Sequence, residues 1–133
     1  MNHVLVVEDD PHNAVLFRKL LERRGGCRVS VSESADEILR LTAAGDVRLV
    51  VMDVSLANTR VAGQLVSGVE LCRLIKNTPA SARVRILLAT AHAMRGDAEA
   101  LLAESGADDY VAKPILDHAS FIRQVQSMLP EAA

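Results

Sequence analysis

"VLVVEDDPHN", residues 4–13, sets four apolar residues ahead of three consecutive acids and a proline. Residues 4–7 are aliphatic throughout, the composition of a strand covered on both faces. Pro11 suits the first helical position and pushes Asp10 into extended backbone, which makes Asp10 the N-cap of a following helix. The stretch is a strand, an acidic tip and a helix start. Glu8 and Asp9 stand at that tip without a local partner, and their like charges ask for a cation.

The same pattern recurs outward along the chain. Apolar runs at 3–7, 27–31, 49–52, 84–89 and 109–112 read as strands. Between them lie stretches of helical period. Residues 11–24 carry the stripe Ala14, Phe17, Leu20 and Leu21 and stop at Gly25-Gly26. "SADE" at 34–37 is a capping box that opens a helix burying Ile38 and Leu41. Residues 69–76 offer Leu71, Leu74 and Ile75, and residues 97–105 offer Ala98, Leu101 and Leu102 before Gly106. Asp117 caps a last helix whose stripe is Phe121, Ile122, Val125, Met128 and Leu129. Strand and helix in alternation give an α/β fold, a five-stranded parallel sheet with helices on both faces and its ligands beyond the carboxyl ends of the strands.

The 133 residues are expected to form a single domain, 1–133, with one core and no output domain after residue 130. Half of the residues are hydrophobic but aromatics are limited to Phe17, Tyr110 and Phe121, so that core is built from Val, Leu, Ile and Ala. Fifteen basic and seventeen acidic side chains leave a formal charge of -2 with no basic run longer than Arg23-Arg24, which argues against nucleic-acid binding. Cys27 and Cys72 fall in apolar runs without metal-ligand spacing and read as buried thiols. No run approaches the roughly 18 apolar residues of a membrane span, and the start lacks a leader pattern, so no membrane is expected and the cytoplasm is the natural compartment.

The third apolar run, "RLVVMD", also ends in a carboxylate, Asp53, and strands one and three are neighbours at the switch point of a 2-1-3-4-5 sheet. Glu8, Asp9 and Asp53 then converge on one crevice. A hard divalent ion such as Mg²⁺, held by one or two carboxylates with phosphate oxygens and water, is the simplest remedy for their repulsion. The fourth run, "LLATAH", brings the hydroxyl of Thr90 to the same edge, and the fifth, "YVAKP", brings the ammonium of Lys113. A carboxylate beside a metal, a hydroxyl and a lysine suits phosphoryl acceptance, because an aspartyl oxygen attacks phosphorus while the cations neutralise the equatorial oxygens.

Together "VLVVEDDP", "VVMD", "LLATA" and "GADDYVAKP" resemble the response-regulator receiver domain of two-component signalling, in register from about residue 3 to residue 129. The flavodoxin-like 2-1-3-4-5 order is in part an implication of that resemblance. The resemblance implies Asp53 as phosphoacceptor, Glu8 and Asp9 as the acidic pair holding Mg²⁺, and Ser55 as the residue lending a backbone carbonyl to the metal. It also implies Thr90 as switch hydroxyl, Lys113 as phosphate-binding lysine, Tyr110 as switch aromatic, and a cis Lys113-Pro114 bond. The implied partners are a histidine kinase or histidine phosphotransfer protein upstream and a protein target downstream; the resemblance leaves the oligomeric state open.

The chain departs from that pattern after Asp53. The glycine that opens the third helix in relatives matches Gly68 in "SGVELCRLIK", and the segment at about 54–67 is longer than usual, with Ala57 where proline is common. Surface loops tolerate such length at small entropic cost. The segment nevertheless borders the acceptor, where Arg60 and Gln64 are candidates to shield a phosphate or meet a partner. His92, two past Thr90, occupies a position that bears on phosphate lifetime in the family, as does Ser55; His3, His12 and His118 read as surface or packing residues. Two alternatives stand beside the phosphorelay reading. A receiver-like adaptor would act without phosphorylation, and a Mg²⁺-dependent phosphohydrolase would need an acid where Ser55 stands.

Overall fold

Along the chain the elements are β1 (His3–Val7), α1 (Pro11–Arg23), β2 (Arg28–Ser32), α2 (Ala35–Ala43), β3 (Val47–Asp53), β4 (Arg60–Val61), β5 (Gln64–Leu65), α3 (Gly68–Asn77), β6 (Arg85–Thr90), α4 (Asp97–Ser105), β7 (Asp109–Ala112) and α5 (His118–Met128). They come from a computed structural model, which describes residues 1–91 and 96–130. His92 lies outside the described residues.

The main sheet has the order β2-β1-β3-β6-β7 and every pairing is parallel. Counting only its own strands, this is the expected 2-1-3-4-5 order. Alternation along each strand divides the interior in two. Val4 and Val6 of β1 pack with Phe17 and Leu21 of α1 and Val125 of α5, while Leu5 and Val7 pack with Ile38 of α2 and Leu71 and Ile75 of α3. Each such side chain, fully withdrawn from water, contributes about 1.5–3 kcal/mol. Cys27 and Cys72 are buried free thiols, as expected, and burial pushes the Cys72 thiol up to about 11. No helix among the described residues is long and apolar enough to cross a membrane.

The stripes of α2 and α3 differ from their periodic reading. In α2 the inward positions are Ala35, Ile38 and Thr42, and Leu41 is only half-buried. Thr42 tolerates burial because its hydroxyl donates to the Ile38 carbonyl at 2.8 Å. In α3, Leu74 lies outside the core and lines a groove of about 310 Å³ with Val61, Val66 and Leu71.

The segment at 54–67, expected to be longer than usual, carries two short strands of its own. It contains an antiparallel ribbon in which Arg60 pairs with Leu65 and Val61 with Gln64. Ala62 (φ 53°) and Gly63 (φ 82°) both take positive φ, as a two-residue hairpin turn of the primed type requires. Alanine is a poor residue for that conformation, which is why the sequence carries no hairpin signal there. Thr59 anchors the ribbon, its buried hydroxyl donating to the Glu33 carbonyl at 2.8 Å and its own carbonyl accepting from Val66 N–H at 2.9 Å. Ser67 and Glu70 then form a capping box at the start of α3.

Candidate functional site

Sheet register brings the site together. Val7 lies opposite Met52, so Glu8 follows β1 abreast of Asp53 at the end of β3. Asp53 lies opposite Ala89, and Thr90 opposite Ala112, which sets Thr90 and then Lys113 on the same rim. The Lys113 N–H donates to the Thr90 carbonyl at 2.9 Å, and the Lys113-Pro114 bond is cis.

Glu8, Asp9 and Asp53 each offer a carboxylate oxygen within 4.8 Å of the others. Lys113 Nζ donates to Asp53 Oδ1 at 3.0 Å and to Glu8 Oε2 at 3.3 Å. Glu8 and Asp53 are buried, at 4% and 3% exposure, so water does little to disperse their charge. Three carboxylates face one ammonium, an excess of two negative charges that a divalent cation would balance. The donors are all hard oxygens at a crevice open on one side through Asp9, the set suited to Mg²⁺ with retained water.

The protonation equilibria record the crowding. Burial, with the Asp53 charge added to it, raises the Glu8 carboxyl above its ordinary 4.5, against the opposing pull of Lys113 and Asn13. Burial alone pulls the Lys113 ammonium down, but the hydrogen bonds and charges of Asp53 and Glu8 outweigh it and the net shift is upward. Lys113 is therefore a fixed cation at neutral pH.

Backbone groups hold the acids in place. Ser55 N–H donates to Asp53 Oδ1 at 3.1 Å, and Ala57 N–H donates to Asp9 Oδ2 at 2.7 Å. Asn13 Nδ2 donates to Glu8 Oε1 at 3.3 Å. Neither Ala57 nor Asn13 is evident as a site residue in the sequence. Asn13 sits in the first turn of α1, five residues past Glu8, a spacing that offers a signal in hindsight; a backbone amide reached across the fold offers none. Asp10 caps α1 as expected, its side chain accepting from His12 N–H.

Other candidate residues fall as follows. Thr90 is buried at the end of β6, beside a cavity of about 350 Å³ lined by Val54, Asp97, Ala100, Leu101 and Glu104. Tyr110 is half-buried on the face covered by α2, α3 and α4, and its carbonyl accepts from Gln124 of α5 at 2.8 Å. Arg60 is engaged in its own turn, donating to the Gly63 carbonyl at 3.0 Å, and Gln64 is exposed. His3 is a packing residue, buried with its ring nitrogens 3.1 Å from Asp46 Oδ2 and 2.7 Å from Ser30 Oγ. Among the described residues no histidine or cysteine joins a group of three metal-ligating side chains.

Known proteins similar to this chain share its fold. The family model for the response regulator receiver domain matches residues 4–126. The polar-differentiation response regulator DivK of Brucella ovis is 32% identical over 129 residues, 97% of this chain and 97% of the relative. Hybrid signal transduction histidine kinase I of Dictyostelium discoideum is 34% identical over 114 residues, 84% of this chain, which spans only 6% of that kinase. Among solved structures, the receiver domain of a sensor histidine kinase from Pseudomonas aeruginosa PAO1 has a TM-score of 0.77 and 29% identity, covering 96% of each chain; a magnesium ion is coordinated in its active site cleft.

Proposed function

This chain belongs to the response regulator receiver domain family, and on that premise we propose that it is a phosphoacceptor of a two-component phosphorelay, with Asp53 taking the phosphoryl group. The donor is a phosphohistidine of a histidine kinase or a histidine phosphotransfer protein. An Asp53 carboxylate oxygen forms the new P–O bond as the P–N bond breaks, and the imidazole leaves with the electron pair. The observation that carries the reading is the position of Lys113 Nζ, within hydrogen-bond reach of both Asp53 and Glu8 in a cluster completed by Asp9.

Glu8, Asp9 and Asp53, with the backbone carbonyl of Ser55, would hold Mg²⁺, which when bound neutralises charge on the transferred oxygens. Lys113 supplies a second, permanent positive charge to the aspartyl phosphate. The phosphoryl group adds roughly -1.5 to -2 of charge and three acceptor oxygens, toward which the Thr90 hydroxyl is drawn. Tyr110 then turns toward the space beside Thr90 and α4, altering the face made by α4, β7 and α5 that a downstream protein reads. The phosphate acts only through its different affinity for the two packings. The cavity next to Thr90 and the Gln124 tie between β7 and α5 support this route.

Incubation with acetyl phosphate and Mg²⁺ tests the reading. Intact-mass spectra should show one added phosphoryl group on the wild type and none on Asp53→Asn. Equal labelling of both would refute the acceptor assignment.

A further inference from the structure

The inserted segment meets the acidic cluster at two backbone amides. Ser55 N–H, next to the acceptor, bonds Asp53, and Ala57 N–H bonds Asp9 Oδ2 at 2.7 Å, a short bond to a charged acceptor. The Ala57 side chain is exposed, so its amide is what this residue contributes. Beyond it the ribbon is held at its base by Thr59 and by half-buried Val61 against the core, and its tip is exposed. Thr59 is buried, but Arg60, Ala62, Gly63, Gln64 and Leu65 are exposed, and Ala62 sits at positive φ. An exposed tip opens at low free energy, so the charge-assisted bond at Ala57 adds to the order that Thr59 and Val61 provide.

We propose that the Ala57 amide is a positioning group that ties the inserted ribbon to Asp9, so that cation binding at the acidic cluster and docking of the ribbon oppose each other. This rests on the reading of Glu8, Asp9 and Asp53 as the Mg²⁺ site. A carboxylate has one negative charge over its two oxygens. A divalent ion on either oxygen polarises that charge and weakens the group as an acceptor for Ala57 N–H. Conversely, the amide draws on charge that the ion would otherwise use. The coupling is reciprocal by linkage: whatever factor the tether takes from cation affinity, the cation takes from ribbon order. The ribbon thereby reports the state of the metal site to the surface at Arg60–Val61 and Gln64–Leu65.

Titration with MgCl₂ followed by ¹H–¹⁵N NMR and amide exchange tests this. In the wild type, amides of Glu8, Asp9 and Asp53 should shift, and those of Arg60, Val61, Gln64 and Leu65 should shift on the same isotherm and exchange faster. Ala57→Pro lacks the N–H and should bind Mg²⁺ about fivefold tighter, with ribbon amides that no longer respond. Ala57→Ser keeps the N–H and should match the wild type, which a merely structural role of the side chain would not predict. Ribbon amides that stay still while Asp9 and Asp53 shift overturn the coupling and leave the Mg²⁺ reading standing. So does equal or weaker Mg²⁺ affinity in Ala57→Pro with the sheet amides unperturbed. If no amide of the acidic cluster moves in the wild type, the Mg²⁺ reading itself is overturned. The wild-type arm decides the question even if Ala57→Pro fails to fold.

Discussion

The backbone carbonyl oxygen of Asp53 occupies the place that a β-carbon on residue 68 would take. Gly68 also donates its N–H to the Val54 carbonyl at 2.9 Å. The chain leaves the acceptor, runs out through the ribbon and returns to the same point, and only glycine permits so close a return.

Gly68→Ala should therefore force β3 and α3 apart at the acceptor. The expected loss is about 1–3 kcal/mol, the cost of overpacking a tight site, read as a lower urea midpoint. Acetyl-phosphate labelling of Asp53 should slow in the folded fraction. An unchanged midpoint would show that the two backbones separate freely.

Glu8 makes apo stability depend on pH. Its folded pKa lies above 4.5, so the stability linked to its proton is fully present below about 4.5 and is lost as pH rises through the raised folded value. Lys113, also raised, contributes stability below 10.5 that is lost only as pH climbs through its folded value. Urea unfolding in EDTA should show wild-type stability falling as pH rises above 4.5 relative to Glu8→Gln, in which that fall is absent. Parallel pH profiles for the two proteins would contradict the assignment.

The thiols offer a check on packing. Cys72 is fully buried with its thiol at about 11, and Cys27 is buried and also raised by desolvation. Below about one part in a thousand of Cys72 is thiolate at about pH 7.5, so an aromatic disulfide reagent should leave it unreacted until urea unfolds the chain. Prompt release of chromophore from the native protein would mean a looser interior than described.

Replacing residues 57–66 with a short turn should leave the sheet intact. Val54 N–H still bonds the Ala89 carbonyl and Gly68 N–H still bonds Val54, so both ends remain fixed, and the change in loop entropy is about 1 kcal/mol or less. The lifetime of the aspartyl phosphate should change, because the segment no longer meets Asp9 through the Ala57 amide. A lifetime equal to wild type would leave the insertion without a role at the acceptor.

The alternation of greasy runs and amphipathic stripes was enough to read the layer architecture, because strands covered on both faces require aliphatic runs and the intervening helices require a 3.6-residue stripe. The site was legible for the same reason: carboxylates, hydroxyl and lysine directly follow those runs, and in a parallel sheet the run ends share one rim. Leu74 and Thr42 were less legible, since neither the groove under the ribbon nor the Ile38 carbonyl that satisfies a buried hydroxyl is local to the stripe.

By itself the amino-acid order determined which groups reach the rim and that their charge needs a cation, because both follow from the position of each residue within its own element. Tertiary structure alone decided that Lys113 bridges Glu8 and Asp53, that residues 60–65 pair as a ribbon through a turn with alanine at positive φ, and that the Ala57 amide reaches Asp9. Those contacts join atoms far apart in the chain. A backbone N–H is the same chemical group at every residue except proline, so only its place in space tells which carboxylate it serves.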